Sequence, residues 1–255
     1  MIGPVLENIR ILLCRPEPSS KEMAKVLSAV GAECRCLPTI DIVMKPLNET
    51  DKQKIINLDQ YQHVIVVSQH AAKFGIDKID EYWPQFPLDQ NWFAIGRKTS
   101  ATLNSSNLNL ISPEQDVDSE TLLRQELLKQ VNHQKILILK GQKGRNHLQQ
   151  SLVEKGAYVD SIELYERACS VYSSSQLTQN IQEFDPHYII ALSGETLENL
   201  ISLCKKANIS INQYRFILSS QRVANIAAKY GLKYTMVPQN LMPIDVIKCI
   251  AAAEK

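Results

Sequence analysis

The sequence predicts an α/β protein built from two similar parallel-sheet units of flavodoxin-like type, and three observations carry that expectation. Short apolar runs alternate with amphipathic stretches along the chain, small polar turns separate them, and the pattern of the first part returns in the second. Apolar strands alternating with helices form parallel sheets covered on both faces. A repeated block of such units means two related domains.

Taken in order, residues 9–14 read as a buried strand. Ser19 or Ser20 is placed to cap the next helix, whose apolar face takes in Met23, Val26, Leu27 and Val30. Gly31 stops that helix, because glycine accepts the left-handed geometry beyond a helix end. Residues 33–37 form the next strand, and the alternation continues with strands at 63–67, 92–95, 108–111, 135–139 and 158–164. Further strands are expected at 188–192, 215–218 and 233–237, with helical patterns between most of them.

The repeat is explicit in the residues. IRILLCRPEPSSKEMAKVLSAVGAECRCLP (9–38) parallels KILILKGQKGRNHLQQSLVEKGAYVDSIELY (135–165), with Gly31 and Gly156 in matching places. HVIVVSQHAAKF (63–74) parallels YIIALSGETLENL (188–200), and WFAIGRKTSATL (92–103) parallels RFILSSQRVANI (215–226). The order is A-B-A-B, which permits tandem domains or one domain nested in the other. Extended stretches at the two matching exits, 37–43 and 163–171, form a pair of crossover strands and favour nesting slightly. The expected division is residues 1–38 plus 168–255 as a discontinuous domain and 39–167 as the insert.

Composition narrows the function classes. The chain has 255 residues, 44% hydrophobic and 22% charged, with a formal net charge of +1. Those values suit a globular protein and exclude the strongly basic surface that drives nonspecific nucleic-acid binding. Residues 1–8 show no secretory signal pattern, and apolar runs such as 64–67 and 136–139 are too short to span a bilayer. The expectation is a cytoplasmic protein. Its six cysteines (Cys14, Cys34, Cys36, Cys169, Cys204 and Cys249) are read as reduced structural thiols, with Cys34 and Cys36 on one strand face. No Cys and His spacing suits a metal.

In open α/β sheets, ligands gather beyond the carboxyl ends of the strands. The turns there hold Arg15-Pro16, Ser68-Gln69-His70, Gly96-Arg97-Lys98-Thr99, Lys140-Gly141, Gly144-Arg145, Ser193-Gly194-Glu195 and Ser219-Ser220-Gln221-Arg222. Several lead into a helix, whose unpaired N–H groups and positive dipole end attract carboxylate or phosphate. Taken singly, each residue has an ordinary reading: the serines as N-caps, the glycines as turn formers, the Arg and Lys as solvated charges. Tyr165 is as readily a packed, hydrogen-bonded tyrosine as a catalytic one. Repeated in two domains, the arrangement suits a large polyanion. No GxGxxG, GxxxxGK[ST] or GxSxG spacing occurs, which removes support from nucleotide and hydrolase readings.

These turns, read together, resemble the uroporphyrinogen-III synthase family over nearly the whole chain. The similar segments are Arg15-Pro16, LPTIDI (37–42), VSQHA (67–71), AIGRKTSATL (94–103), LILKGQKGRNHLQQSLVEKGAYV (137–159), Leu164-Tyr165-Glu166-Arg167, LSGETLENL (192–200) and SSQRVANIAAKYG (219–231). Their order, spacing and number carry the resemblance, and SSQRVA is similar to a bacterial branch. The family pattern has Gly and Thr where Ser219 and Arg222 stand, as Gly96 and Thr99 keep in the other repeat. No hydroxyl role therefore carries over to residue 222, where an arginine can instead pair with a carboxylate.

The resemblance implies a nested domain pair joined by a two-stranded linker with the active site in the cleft. It also implies a monomeric enzyme without metal or organic cofactor. The implied reaction takes hydroxymethylbilane, loses water, inverts ring D through a spiro intermediate and closes the macrocycle. The substrate is held by Arg15, Ser68, Gln69, His70, Gly96, Arg97, Thr99, Lys140, Gly141, Arg145, Ser193, Gly194, Glu195, Ser219, Ser220 and Arg222. Tyr165 is the candidate acid, since a phenol is protonated at neutral pH. The competing expectation is a noncatalytic two-domain protein that closes on a small anion.

Overall fold

Short apolar runs bounded by small polar turns set most of the strands, and the computed structural model describes residues 5–87, 89–104, 108–111, 119–142 and 146–254. In order come β1 (Arg10–Leu13), α1 (Ser19–Ser28), β2 (Glu33–Cys36), β3 (Ile40–Met44), α2 (Glu49–Ile56), β4 (His63–Val66) and α3 (Gln69–Asp80). Then follow β5 (Asn91–Ala94), α4 (Arg97–Leu103), β6 (Leu110–Ile111), α5 (Ser119–Leu122), β7 (Lys135–Gly141), α6 (His147–Glu154) and β8 (Tyr158–Cys169). The remainder is α7 (Ser174–Leu177), β9 (Tyr188–Ala191), α8 (Gly194–Lys206), β10 (Arg215–Leu218), α9 (Gln221–Lys229), β11 (Thr235–Met236) and α10 (Pro243–Ala253).

The chain divides into two units, 1–41 with 168–255 and 42–167. Unit 1 holds a sheet ordered β11-β10-β9-β1-β2, and unit 2 is built on one ordered β3-β8-β7-β4-β5-β6. Read from β6 to β8, the second order reproduces the first, with β7 and β8 standing for β1 and β2. The first A block thus pairs with the last B block, through Ile11↔Tyr188 and Leu13↔Ile190 in parallel register. Of the two pairings the repeat allows, the nested one is found. The chain crosses between the units within β3 and within β8. These strands run antiparallel: Lys45 N–H donates to Leu164 O at 2.9 Å and Ser170 N–H to Thr39 O at 3.3 Å.

Each sheet is covered on both faces, and its central strands are buried along nearly their whole length. In β1, Leu12 faces one cluster with Ile189 and Phe216, while Ile11 and Leu13 face another with Met23, Leu27 and Val246. In unit 2, Val64 and Val66 face Leu137, Leu139 and Trp92, while Ile65 turns to Phe93, Ile136 and Leu152. Each such fully buried aliphatic side chain contributes about 1.5–3 kcal/mol relative to exposure. Gly31 and Gly156 both take positive φ, 100° and 86°, at matching helix exits.

Some local expectations change. Pro18, not Ser19 or Ser20, occupies the N-cap of α1 without a side-chain cap. Ser20 is fully buried, and its hydroxyl donates to Leu13 O at 3.4 Å. The buried stripe of α1 is Ser20, Met23 and Leu27, so Val26 lies beside it and is 42% exposed. Strand β8 runs to Cys169, beyond the 158–164 expected, because it continues through the crossing. Cys34 and Cys36 do share a face, both packed on the same cluster, and all six cysteines are free thiols. No helix among the described residues is long and apolar enough to cross a membrane.

Candidate active site

The carboxyl ends of β4, β7 and β8 surround a cavity of about 260 Å³ in unit 2, lined by Ser68, Lys140, Gly141, Gln142, Tyr165 and Arg167 among others. Tyr165 follows Leu164 on β8, and alternation should send it to the opposite face. A register shift between Lys140 and Gly141 places Gly141 opposite Tyr165 instead of Leu164. Gln142 N–H then donates to Tyr165 O at 2.8 Å. Leu164 and Tyr165 consequently belong to the same core cluster. Only glycine fits the bulge: a Cβ on Gly141 would lie 2.5 Å from Tyr165 Cζ.

The phenol is 6% exposed and ends 3.0 Å from Ser68 Oγ. Ser68 is the N-cap of α3 and accepts from Ala71 N–H at 3.1 Å. Its capping role is therefore real and does not exhaust its hydroxyl. His70, in the first turn of α3, sets its ring edge against Tyr165 with centroids 5.7 Å apart. Burial holds the His70 imidazole below its usual pKa, and the nearby Arg167 and Lys73 cations push the same way. It is thus neutral at neutral pH.

Lys140 brings charge to this cavity. It is 9% exposed, and among the described residues its hydrogen-bond partner is the Asn146 side-chain oxygen at 3.3 Å. An ammonium buried beside a neutral amide retains most of its appetite for an anion. Arg167 also lines the cavity, although sequence reasoning did not single it out. The signal was available, since Arg167 is two residues beyond Tyr165 on one strand and so shares its face. Gln69 is half-buried at the start of α3.

Beside this cavity, Gly96 is the N-cap of α4 at φ 84°. Thr99 is buried, and its hydroxyl donates to Ile95 O at 2.6 Å, which commits it to the turn. Arg97 is exposed. Gly144 and Arg145 lie outside the described residues.

Unit 1 repeats the arrangement with different side chains. Ser193 caps α8 by accepting from Thr196 N–H at 3.1 Å. Glu195 follows in the first turn. Arg222 comes from α9 and is exposed; its Nη1 lies 3.6 Å from the position a Cβ on Gly194 would take. The structure thus gathers Ser193, Gly194 and Arg222 at one helix start. Ser220 is the N-cap of α9 without a side-chain bond, and Ser219 precedes it half-buried. Arg15, at the end of β1, is partly buried, and its pKa is lowered by that burial against the opposing pull of Glu22. Among the described residues no cluster of His, Cys, Asp and Glu has metal-holding geometry.

Comparison with known proteins places this architecture. The family model for uroporphyrinogen-III synthase HemD matches residues 21–243. The chain is 28% identical over 233 residues to the uroporphyrinogen-III synthase of Salmonella typhimurium, covering 90% of this chain and 95% of that one. It is 27% identical over 236 residues to the Escherichia coli K12 uroporphyrinogen-III synthase, with the same 90% and 95% coverage. Among solved structures, uroporphyrinogen-III synthetase from Helicobacter pylori 26695 has the same fold, with TM-score 0.61, 13% identity, and 97% and 100% coverage. A mutant synthase from Thermus thermophilus also aligns, with TM-score 0.52, 11% identity and the same coverages.

Proposed function

Because the chain belongs to the uroporphyrinogen-III synthase family, we propose that it cyclises hydroxymethylbilane to uroporphyrinogen III in tetrapyrrole biosynthesis. The observation that carries this reading is the unit 2 cavity, where the Tyr165 phenol and the buried Lys140 ammonium stand together. A substrate bearing several carboxylates and one hydroxyl leaving group needs those two chemistries.

The electron-rich pyrrole expels hydroxide with modest help. Tyr165 donates its proton to the departing oxygen as the C–O bond breaks with its electron pair on oxygen, so water leaves. The substituted α-carbon of ring D then attacks the electrophilic methylene to form a spiro intermediate. The bond from that carbon to the methylene shared with ring C breaks, and that methylene bonds instead to the free α-carbon of ring D, which loses its proton as the inverted macrocycle closes. No oxidant or reductant enters the balance. Geometry is what must be enforced, since closure without inversion gives the other isomer, and fixed orientation is a large part of what binding can supply. Lys140 holds one carboxylate in unit 2. Arg222 of α9, beside Gly194 at the start of α8, takes another in unit 1, with support from Arg15 and the Ser219-Ser220 turn. The Ser68-Gln69-His70 and Gly96-Arg97 turns and the Ser193-Gly194-Glu195 turn complete the polar contacts. The protein is read as a cytoplasmic monomer, and its free thiols suit a reducing compartment.

The test is direct. Purified protein is given freshly generated hydroxymethylbilane, the product is oxidised, and isomers I and III are resolved. Isomer III is expected; isomer I alone, at the protein-free rate, overturns the reading.

A further inference from the structure

The two repeats share a capping serine but differ in where its second hydrogen bond goes. In unit 1, Ser193 Oγ accepts from Thr196 N–H at 3.1 Å and lies 2.8 Å from Thr196 Oγ1, so both partners belong to its own helix. In unit 2, Ser68 Oγ accepts from Ala71 N–H at 3.1 Å. Ala71 stands where Thr196 stands in the other repeat and has no hydroxyl to offer. The second partner is the Tyr165 hydroxyl at 3.0 Å.

A serine hydroxyl has one proton and two lone pairs. One lone pair of Ser68 is on the Ala71 N–H. Were Tyr165 the donor, the serine proton would need a further acceptor, and the phenol proton would be turned away from the cavity. Either hydroxyl can donate across this contact, and each arrangement leaves one proton over; with Ser68 as donor, that proton is the phenol's, free for the cavity that Ser68 and Tyr165 both line. Gly141 fixes the ring from its other side, since a Cβ there would fall 2.9 Å from the phenol oxygen.

We propose that Ser68 is a positioning residue for Tyr165: it donates its proton to the phenol oxygen and leaves the phenol proton available to the substrate's leaving hydroxyl. This rests on the synthase reading above. After Tyr165 has given up its proton, the tyrosinate oxygen keeps the Ser68 donor, with the positive end of α3 behind it. A proton from water restores the phenol.

Full-chain variants Ser68→Ala, Ser68→Thr, Tyr165→Phe and the double variant Ser68→Ala with Tyr165→Phe test this. Each is assayed for uroporphyrinogen III formation, and those that keep Tyr165 are followed by the NMR resonance of its carbon-labelled Cζ. Ser68→Ala is expected to lower kcat about fivefold, the size of one ordinary hydrogen bond, and to move the resonance. Ser68→Thr keeps both cap and donor and restores rate and resonance. In the Tyr165→Phe background, Ser68→Ala has no further effect on kcat. An equal loss in both backgrounds assigns Ser68 to capping or substrate contact alone and overturns the proposal. An unmoved resonance overturns it too. Wild-type protein that yields only isomer I removes the synthase reading instead, while the resonance still judges the Ser68–Tyr165 bond.

Discussion

At Tyr165 the phenol is buried to 6% exposure yet ends at a cavity wall, so replacing it with Phe removes one hydrogen bond and leaves the ring packing in place. Tyr165→Phe should therefore cost about 1 kcal/mol of stability at most. Turnover should fall about tenfold, less than an acid gives to poorer leaving groups, because the pyrrole assists departure. Isomer-resolved kinetics and a denaturant melt on the same sample check both halves. His63 gives a pH prediction of a different kind. It is 3% exposed, with Nε2 2.8 Å from Gln134 Oε1 and its ring edge on Phe93. Burial holds its pKa below the usual value, and the hydrogen bonds to Gln134 and Gln62 only partly oppose that. The unfolded chain thus takes up the proton at a higher pH than the folded one. Stability is full above the ordinary histidine pKa of about 6.5 and declines as pH falls below it toward the folded pKa. His70 acts in the same direction. Denaturant midpoints should drop on acidification through this window, and His63→Gln should flatten the drop.

At the scale of elements, α3 shows packing overruling propensity. A glycine inside a helix costs about 1 kcal/mol relative to alanine, so Gly75→Ala looks favourable from sequence. A Cβ there, however, would sit 2.8 Å from Leu139 Cδ1 and 3.3 Å from Leu164 Cδ1, both deep in the core. Overpacking of this kind costs about 1–3 kcal/mol, so the net change should be a loss of about 1 kcal/mol in a denaturant melt. The strands were largely legible in the sequence because buried central parallel strands are apolar along most of their length. Ser68 and Ser193 were legible as helix starts for the same local reason. What stayed hidden was non-local. The bulge at Lys140/Gly141 turns Tyr165 onto the face of Leu164, and no period-two pattern within β8 announces it. The start of α1 was misread because Ser20 is drawn into the core by the Leu13 carbonyl, a contact that local capping rules do not see.

For the whole molecule, the repeat revealed two related units, but repetition alone left tandem and nested pairing both open. The choice is written in the β1–β9 register, a matter of which apolar edges meet. Each unit has its own pair of apolar clusters, one on each face of its sheet. Heat unfolding should accordingly depart from a single two-state transition, with calorimetric enthalpy above the van't Hoff value. Gly75→Ala should move only the part of the trace belonging to unit 2. One transition shifting as a block would contradict this. The duplication also separated two uses of one motif: Ser193 turns inward to Thr196, while Ser68 reaches the phenol.

The nested connectivity has a consequence on the ribosome. Arg10 N–H is bonded to His187 Nδ1, a partner 177 residues away. Residues 42–167 are all translated before β9 exists, so unit 2 can close while β1, α1 and β2 are still waiting for the other three strands of their sheet. For that interval the apolar edge of β1 is an open template for any passing strand. Translation order thus makes the discontinuous unit the one that nascent-chain chaperones have to shield.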